Sequence, residues 1–253
     1  MKEPTLRFSD RVENYVKYRP GYPPETIKIL KENCSLSPDW KIADIGSGTG
    51  IFTKLLLENK NKVYGIEPNM EMRKEAEKAL KAFPNFISVD TTSEKTTLSA
   101  GSVDMITAAQ AFHWFKRDIV RIEFERILKD NGWVVLIWNS RNVETDFENE
   151  YEKLLLKYSK EYPLVGHKNK QNSDIDSFYL PGNCTKKELK NSQLFDLEGL
   201  KGRLLSSSYA PTKDEEVFIP MMKELERLFN KYNNNGLIAF NYRTEIYYGK
   251  FRL

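Results

Sequence analysis

Ile42-Ala43-Asp44-Ile45-Gly46-Ser47-Gly48-Thr49-Gly50 is a short apolar run ending in a turn with glycine at every second position, and Phe52, Leu55, Leu56 and Leu57 then resume the apolar pattern at helical spacing. That is a strand, a turn and a helix. The alternation continues: Val63-Tyr64-Gly65-Ile66-Glu67 leads through Pro68-Asn69 into a helix from Met70 to Ala82, and Phe86-Ile87-Ser88-Val89-Asp90 follows Pro84-Asn85. Ser102 to Ala109 and Gly132 to Trp138 add two more strands, with a helix from Arg117 to Leu128 between them. Strands so continuously apolar are covered on both faces. The expected fold is therefore α/β, a Rossmann-like doubly wound and mostly parallel sheet.

Outward from this core the pattern loosens. Upstream, Pro23-Pro24 opens a helix carrying Ile27, Ile29 and Leu30, and Ser37-Pro38-Asp39 ends it in a turn. Downstream, a helical insert runs roughly from Glu144 to Tyr162, and the Lys- and Asn-rich stretch from His167 to Ser177 reads as a mobile surface loop. Closing strands are expected near Leu200 to Tyr209 and Ile238 to Phe251, flanking a helix from Asp214 to Tyr232, with Asn233-Asn234-Asn235-Gly236 as the turn into the last strand. That arrangement gives seven strands with an antiparallel final one. The whole chain, 1–253, reads as a single domain: an N-terminal lid segment over 1–38, an alternating strand-and-helix core over 39–142, a helical insert over 143–196, and closing strands and helix over 197–253.

Composition narrows the class. The chain has 253 residues, 39 Lys+Arg against 36 Asp+Glu, a formal charge of +3 and 40% hydrophobic residues, enough for a sizeable core. With 13 Gly and 11 Pro it is neither collagen-like nor low in complexity. Its lysines alternate with acids along helix faces, so no basic face marks a nucleic-acid partner. No apolar run approaches the roughly 20 residues of a membrane helix, and Met1-Lys2-Glu3 opens no signal peptide, so the expected location is cytoplasmic, with no membrane partner. Cys34 and Cys184 are isolated thiols without metal-ligand spacing. Each lies in an Asn-Cys-Ser/Thr triplet that has meaning only in a secreted chain.

The glycine turn closes the first strand at its carboxyl end, where an open α/β sheet places its ligand crevice. Its spacing is G-x-G-x-G, whereas the dinucleotide fingerprint is G-x-G-x-x-G, which counts against an NAD-dependent oxidoreductase. Glu67, at the end of the second strand, is placed to accept hydrogen bonds from both hydroxyls of a ribose. These residues, together with the run through Pro68, resemble the first motifs of class I S-adenosylmethionine-dependent methyltransferases. Phe8-Ser9-Asp10, Tyr18-Arg19-Pro20-Gly21-Tyr22-Pro23, Val103-Asp104, Gln110-Ala111-Phe112-His113-Trp114-Phe115 and Leu128 to Trp133 resemble the small-molecule branch related to trans-aconitate methyltransferase.

The resemblance implies S-adenosyl-L-methionine as cofactor and assigns roles by position. Asp44, Gly46, Ser47, Gly48 and Gly50 would face its methionine part, Arg19 its carboxylate, Glu67 and Pro68 its ribose, and Met70 the adenine. Thr92-Ser93-Glu94 falls where the family often has an acid for the adenine amine, and Thr92 departs from that pattern. Ala109 and Gln110, at the end of the fourth strand, would contact the methionine portion. A second departure is Asn131-Gly132, where the family often writes two glycines.

The reaction implied is methyl transfer to a small-molecule acceptor, with oxygen, as carboxylate or hydroxyl, the expected nucleophile. Alignment supplies much of the acceleration, and no metal is required. A hydroxyl needs a positioned base, for which His113 is the candidate, its other reading being a packed group among Phe112, Trp114 and Phe115. Trp114 either lends its face to a sulfonium or packs in the core. Tyr15 and Tyr18 either lay their rings over the cofactor cleft as part of an N-terminal lid, on the acceptor side, or anchor the N-terminal segment, and Arg141 either binds an anionic acceptor or is a solvated surface charge. The Asn-Pro-Pro-aromatic motif of nucleic-acid amine methyltransferases is absent after the fourth strand. The alternative to an enzyme is a cofactor-binding module that senses or scaffolds. Oligomeric state is not encoded in any motif, and a monomer is compatible with all of these features.

Overall fold

A computed structural model describes residues 11–165 and 172–252. Phe8-Ser9-Asp10, His167 to Gln171 and the first residues of the chain lie outside them. One seven-stranded sheet organises the molecule in the order β3-β2-β1-β4-β5-β7-β6. The strands are β1 (Lys41–Ile45), β2 (Lys62–Ile66), β3 (Phe86–Val89), β4 (Val103–Ala109), β5 (Leu128–Arg141), β6 (Asn183–Phe195) and β7 (Ile238–Lys250). The first five are parallel, and β7 runs antiparallel to both neighbours, β5 and β6. The doubly wound sheet and its antiparallel closing strand are as the sequence predicts.

Helices cover both faces. On one, α2 (Glu25–Cys34), α3 (Ile51–Glu58) and α4 (Met70–Leu80) bury Leu30, Phe52, Leu56 and Leu80 against Ile42, Val63 and Met105. On the other, α5 (Arg117–Ile127) and α8 (Asn172–Tyr179) bury Phe124, Ile127, Phe178 and Tyr179 against Ile106, Leu136 and Trp138. Each fully buried aliphatic chain contributes about 1.5–3 kcal/mol. A second core gathers α6 (Asp146–Tyr158), the short α7 (Tyr162–Val165), α9 (Leu197–Leu205) and α10 (Phe218–Tyr232) around Phe195, Phe240 and Tyr242. The α6 start is a full capping box, Thr145 and Glu148 exchanging bonds with each other's backbone. Pro220 sits in the first turn of α10, where a missing N–H costs nothing.

Three expectations are corrected. The residues from Leu200 to Tyr209 form no strand: Asp196 caps α9 there, its side chain accepting from the Gly199 N–H. The sheet's last partner is instead β6, Asn183–Phe195, paired with β7 from Asn183 opposite Lys250 to Phe195 opposite Ile238. It is an edge strand, mostly exposed, and its Lys-Lys-Glu-Leu-Lys-Asn run lacks the apolar signature while guarding the edge with charge. Within the polar stretch read as a loop, the described part forms α8, seated on the core through Ile175, Phe178 and Tyr179. Asn131, in the irregular first part of β5 rather than in a turn, takes φ +63°, a left-handed conformation asparagine tolerates, which explains how it stands where glycine was expected.

Candidate functional site

The parallel strands change winding direction between β1 and β4, and the crevice opens at their carboxyl ends. Gly46, Gly48 and Gly50 all take positive φ, at +67°, +56° and +81°. At Gly46 an added Cβ would stand 2.5 Å from the Ala111 Cβ, and at Gly50 one would stand 2.7 Å from Leu80, so both positions require glycine. The N–H groups of Gly46 and Ser47 donate to the Ile66 carbonyl at 2.8 and 3.1 Å. That of Gly48 donates to Glu67 Oε2 at 2.9 Å, while Asn69 donates to Oε1 at 2.8 Å. The turn is thus stitched to the end of β2. With these amides already used, it offers no cradle for a pyrophosphate, which independently disfavours a dinucleotide.

Glu67 is buried, and each of its oxygens keeps a lone pair beyond the backbone bonds. Burial pushes its carboxyl up, opposed by the bonds from Asn69 and Gly48. Asp44, also buried, accepts from Thr53 Oγ1 at 2.6 Å and Thr107 Oγ1 at 2.8 Å. Burial dominates and pushes its pKa up to about 6.

A crevice with about 520 Å³ of space not filled by atoms brings together Tyr15, Arg19, Asp44, Gly46, Ser47, Gly48, Ala109 and Gln110 from the predicted set. It adds Tyr22, Thr49, Phe52, Asn139 and Arg203, which the sequence did not single out as site residues. Asn139 lies near the carboxyl end of β5, on the ligand side, a signal that was present. Arg203 had none, because its segment reads as strand rather than as the helix α9 that carries it into the crevice.

Polar atoms here are left to be satisfied. Gln110 follows β4 at φ +59°, strained for a residue with a side chain. Its Nε2 donates to the Asn139 carbonyl at 3.0 Å, while Oε1 is buried without a hydrogen-bond partner. Thr49 Oγ1 and Arg19 Nε are likewise buried and unpartnered. Arg19 lies just past α1 (Val12–Tyr18), with Nη2 donating to the Ser206 carbonyl at 2.9 Å and the guanidinium 4.9 Å from the Tyr15 ring centroid. Burial, then the like charge of Arg203, hold its pKa below the usual arginine value. A ligand bearing an ammonium, a carboxylate and a ribose matches Gln110 Oε1 with Asp44, Arg19, and Glu67 in that order. The residues present therefore fit the cofactor that the resemblance implies.

Other predicted residues lie elsewhere. Gly50, Glu67 and Pro68 are not among the residues lining the crevice, although Glu67 is tied to the lining Gly48 through its N–H, and Met70 stands 53% exposed at the start of α4. In the loop after β3, Thr92 is exposed and Ser93 buried. Burial works to raise the Glu94 carboxyl, but bonds from Thr92, Ser93 and the Glu94 and Lys116 backbone outweigh it, leaving the pKa lowered. His113 is exposed on a 3-10 turn, Phe112–Trp114, its ring 4.6 Å from that of Trp114, whereas Phe112 alone enters the core. Tyr18 lies against Gly202 of α9, where a Cβ would approach its ring to 2.0 Å, so its placement is that of an anchor docking α1 on α9. Arg141 is neither solvated nor in the crevice lining: it is buried and ion-paired to Glu152 at 2.7 Å.

Residues 43–136 match the sequence profile of a family described as a methyltransferase domain. An uncharacterized methyltransferase of Schizosaccharomyces pombe is 25% identical over 252 residues, covering 95% of each chain. Methyltransferases of Dictyostelium discoideum and Mycobacterium bovis are 36% and 30% identical over 53% and 61% of this chain, which spans 48% and 60% of their length. Among solved structures, a candidate type II methyltransferase of Anaeromyxobacter dehalogenans superposes with a TM-score of 0.66 at 19% identity, over 92% of this chain and 98% of that one. Phosphoethanolamine N-methyltransferase 2 of Haemonchus contortus, solved with S-adenosyl-L-methionine, gives 0.59 at 12% identity over 98% of this chain and 58% of that one. At such identities these two speak for the fold alone.

Proposed function

We propose that the chain is a class I S-adenosylmethionine-dependent methyltransferase whose acceptor is a small molecule with an oxygen nucleophile, a carboxylate or hydroxyl, methylated in the cytoplasm. The observation that carries this reading is the lining of the crevice. Tyr15 of α1, Arg19 just past it and Arg203 on α9 line the same crevice as Gly46 to Thr49 and Gln110, so the glycine turn faces the N-terminal segment and α9 across a narrow space, which supports a compact acceptor. No helix among the described residues is long and apolar enough to cross a membrane. Cys34 and Cys184 are both free thiols, which agrees with a reducing compartment.

In this reading Glu67 accepts from the ribose hydroxyls, Arg19 holds the methionine carboxylate, and Asp44 with Gln110 Oε1 faces the ammonium. The cofactor supplies an electrophilic methyl on a sulfonium. The protein's part is to fix the donor, exclude water and align the acceptor, because an in-line displacement gains most of its rate from geometry. Tyr15 and Trp114 border the acceptor side, and His113 takes the proton when the acceptor is a hydroxyl. We expect His113→Ala to slow hydroxyl methylation by roughly 10²- to 10⁴-fold, and to slow carboxylate methylation by much less. Equal, small effects on both acceptors would return His113 to a packing role.

Asp44 gives the site a pH dependence. Its carboxyl is protonated below about 6, and the protonated form no longer attracts an ammonium. The dissociation constant for the cofactor is therefore expected to rise as pH falls through about 6, approaching tenfold per unit below it, and to be lowest between about 6 and the roughly 7.7 at which the ligand's own α-ammonium begins to lose its proton. Calorimetric titrations between pH 5 and roughly 8 measure this, and a flat profile throughout would place the ammonium away from Asp44.

The test of the whole reading is titration with S-adenosylmethionine, S-adenosylhomocysteine and, as control, NAD. An assay of S-adenosylhomocysteine release with a panel of small acids, phenols and amines follows. Binding of the first two alone, with release stimulated by an oxygen acceptor, is the expected result. Binding without turnover on any acceptor would favour a sensor or scaffold module instead.

A further inference from the structure

Resting on that reading, we propose that Asn191 and Gln193 of β6 are positioning residues for the cofactor: their side-chain amides grip the backbone on either side of Arg19-Pro20 and so hold the Arg19 guanidinium in the crevice. In the second half of β6 the inward positions are Leu189, Asn191, Gln193 and Phe195, and Lys190, Ser192 and Leu194 between them are exposed. Leu189 packs against the core under α2 and α3, and Phe195 belongs to the second core. The two inward positions between these apolar anchors are amides. Asparagine is a poor strand former, and a half-buried amide costs free energy unless it is bonded, so the pair answers a specific demand.

That demand is backbone. Asn191 Nδ2 donates to the Gly21 carbonyl at 2.9 Å, and Gln193 Nε2 to the Tyr18 carbonyl at 3.3 Å. Tyr18 is the last residue of α1, where a carbonyl has no partner within its helix, and Gly21 lies in the irregular stretch before α2. Neighbouring strands brace the grip. Asn139 Nδ2 donates to the same Gly21 carbonyl at 3.1 Å, while its Oδ1 accepts from Thr244 Oγ1 at 2.6 Å and from Asn191 Nδ2 at 3.2 Å. On the other side, Tyr242 Oη donates to Gln193 Oε1 at 3.0 Å and accepts from Arg203 Nε at 2.8 Å, Arg203 Nη1 reaching Ser207 Oγ at 3.1 Å. Through Tyr242, one glutamine joins the segment that carries Arg19 to the helix that carries Arg203, and both arginines line the crevice.

Arg19 stands just beyond its helix, with extended backbone and in no strand. A side chain on such a segment meets a ligand at full strength only if the backbone beneath it is already fixed, because ordering that waits for the ligand subtracts from affinity. Two amide-to-carbonyl bonds made beforehand remove that cost. The effect is confined to the end of the cofactor that Arg19 meets, its carboxylate.

The experiment compares S-adenosylhomocysteine with its decarboxylated analogue, which lacks only the carboxylate, by calorimetric titration. Wild type, the double variant Asn191→Leu, Gln193→Met, Arg19→Gln and the triple variant are titrated, with circular dichroism to confirm folding. Leucine and methionine keep the bulk and remove both donors. We expect the double variant to weaken S-adenosylhomocysteine by about 10- to 100-fold, up to the worth of a charge-assisted hydrogen bond, and the analogue by less than about threefold. In the Arg19→Gln background the same two substitutions should have little further effect, because the energies of residues acting through one another do not add. The proposal is overturned if the double variant binds S-adenosylhomocysteine as wild type does, if the analogue weakens by the same factor, or if the losses add in full. Equal binding of both ligands by the wild type also overturns it. Should the double variant not fold, Asn191→Leu and Gln193→Met singly decide by the same comparison. Failure of the wild type to bind S-adenosylhomocysteine would be a different result, removing the cofactor reading before the variants are compared.

Discussion

Glu67→Ala is expected to weaken binding of S-adenosylmethionine by roughly 30- to 1,000-fold, equivalent to about 2–4 kcal/mol. The carboxylate is buried at the end of β2, with Oε1 and Oε2 held by the N–H groups of Asn69 and Gly48. It therefore neither rotates nor has to be desolvated when a ribose arrives, and its two remaining lone pairs accept two charge-assisted bonds. The same residue ties the glycine turn to the sheet, so alanine also strands two amides. For that reason Glu67→Gln is the sharper probe. It fills the same space and keeps one acceptor oxygen, but sets an NH2 group against a backbone donor, and should fall between wild type and alanine. Calorimetry with circular dichroism as a folding control measures both, and an unchanged dissociation constant in the alanine variant would remove Glu67 from the ribose site.

The second large effect is on stability. Arg141 and Glu152 have side chains 5% and 8% exposed, paired at 2.7 Å, with Tyr162 donating to the same Glu152 oxygen at 2.7 Å. The Arg141 guanidinium also lies 5.3 Å from the Tyr151 ring centroid. This group joins the end of β5 to α6 and α7, which form part of the wall of the second core. Glu152→Gln leaves the guanidinium buried without its counter-ion, and the expected cost is about 3–5 kcal/mol. For a chain of this size that is a fall of roughly 6–20 °C in melting temperature. The double variant Arg141→Met, Glu152→Leu removes both charges and should recover most of the loss, because the desolvation penalty disappears with the pair. If single and double variants melt together, packing rather than charge accounts for the effect.

Legibility in the sequence follows burial. The five parallel strands were readable because both of their faces are covered, which forces runs such as Ile42-Ala43-Asp44-Ile45 and Val134-Val135-Leu136-Ile137. The glycine turn and Glu67 were readable for a related reason. Positive φ and close approach at Gly46 and Gly50 admit no side chain, and an acid at a strand's carboxyl end is an exception to an apolar pattern. Strand β6 was not readable, because an edge strand with both faces largely wet has no apolar period to display. Its displacement moved the reading of α9 as well, and with it Arg203.

By itself, then, the sequence determined the layers, the run of parallel strands and the glycine turn at the end of β1. These depend on neighbours in the chain and on backbone geometry that only certain residues permit. The tertiary structure decided which charges face one another. Arg141 and Arg203 are indistinguishable as letters, yet one meets Glu152 from α6 and the other meets only hydroxyls. A guanidinium's role is set by the counter-charge that distant segments bring within reach, and that is a property of packing rather than of spacing.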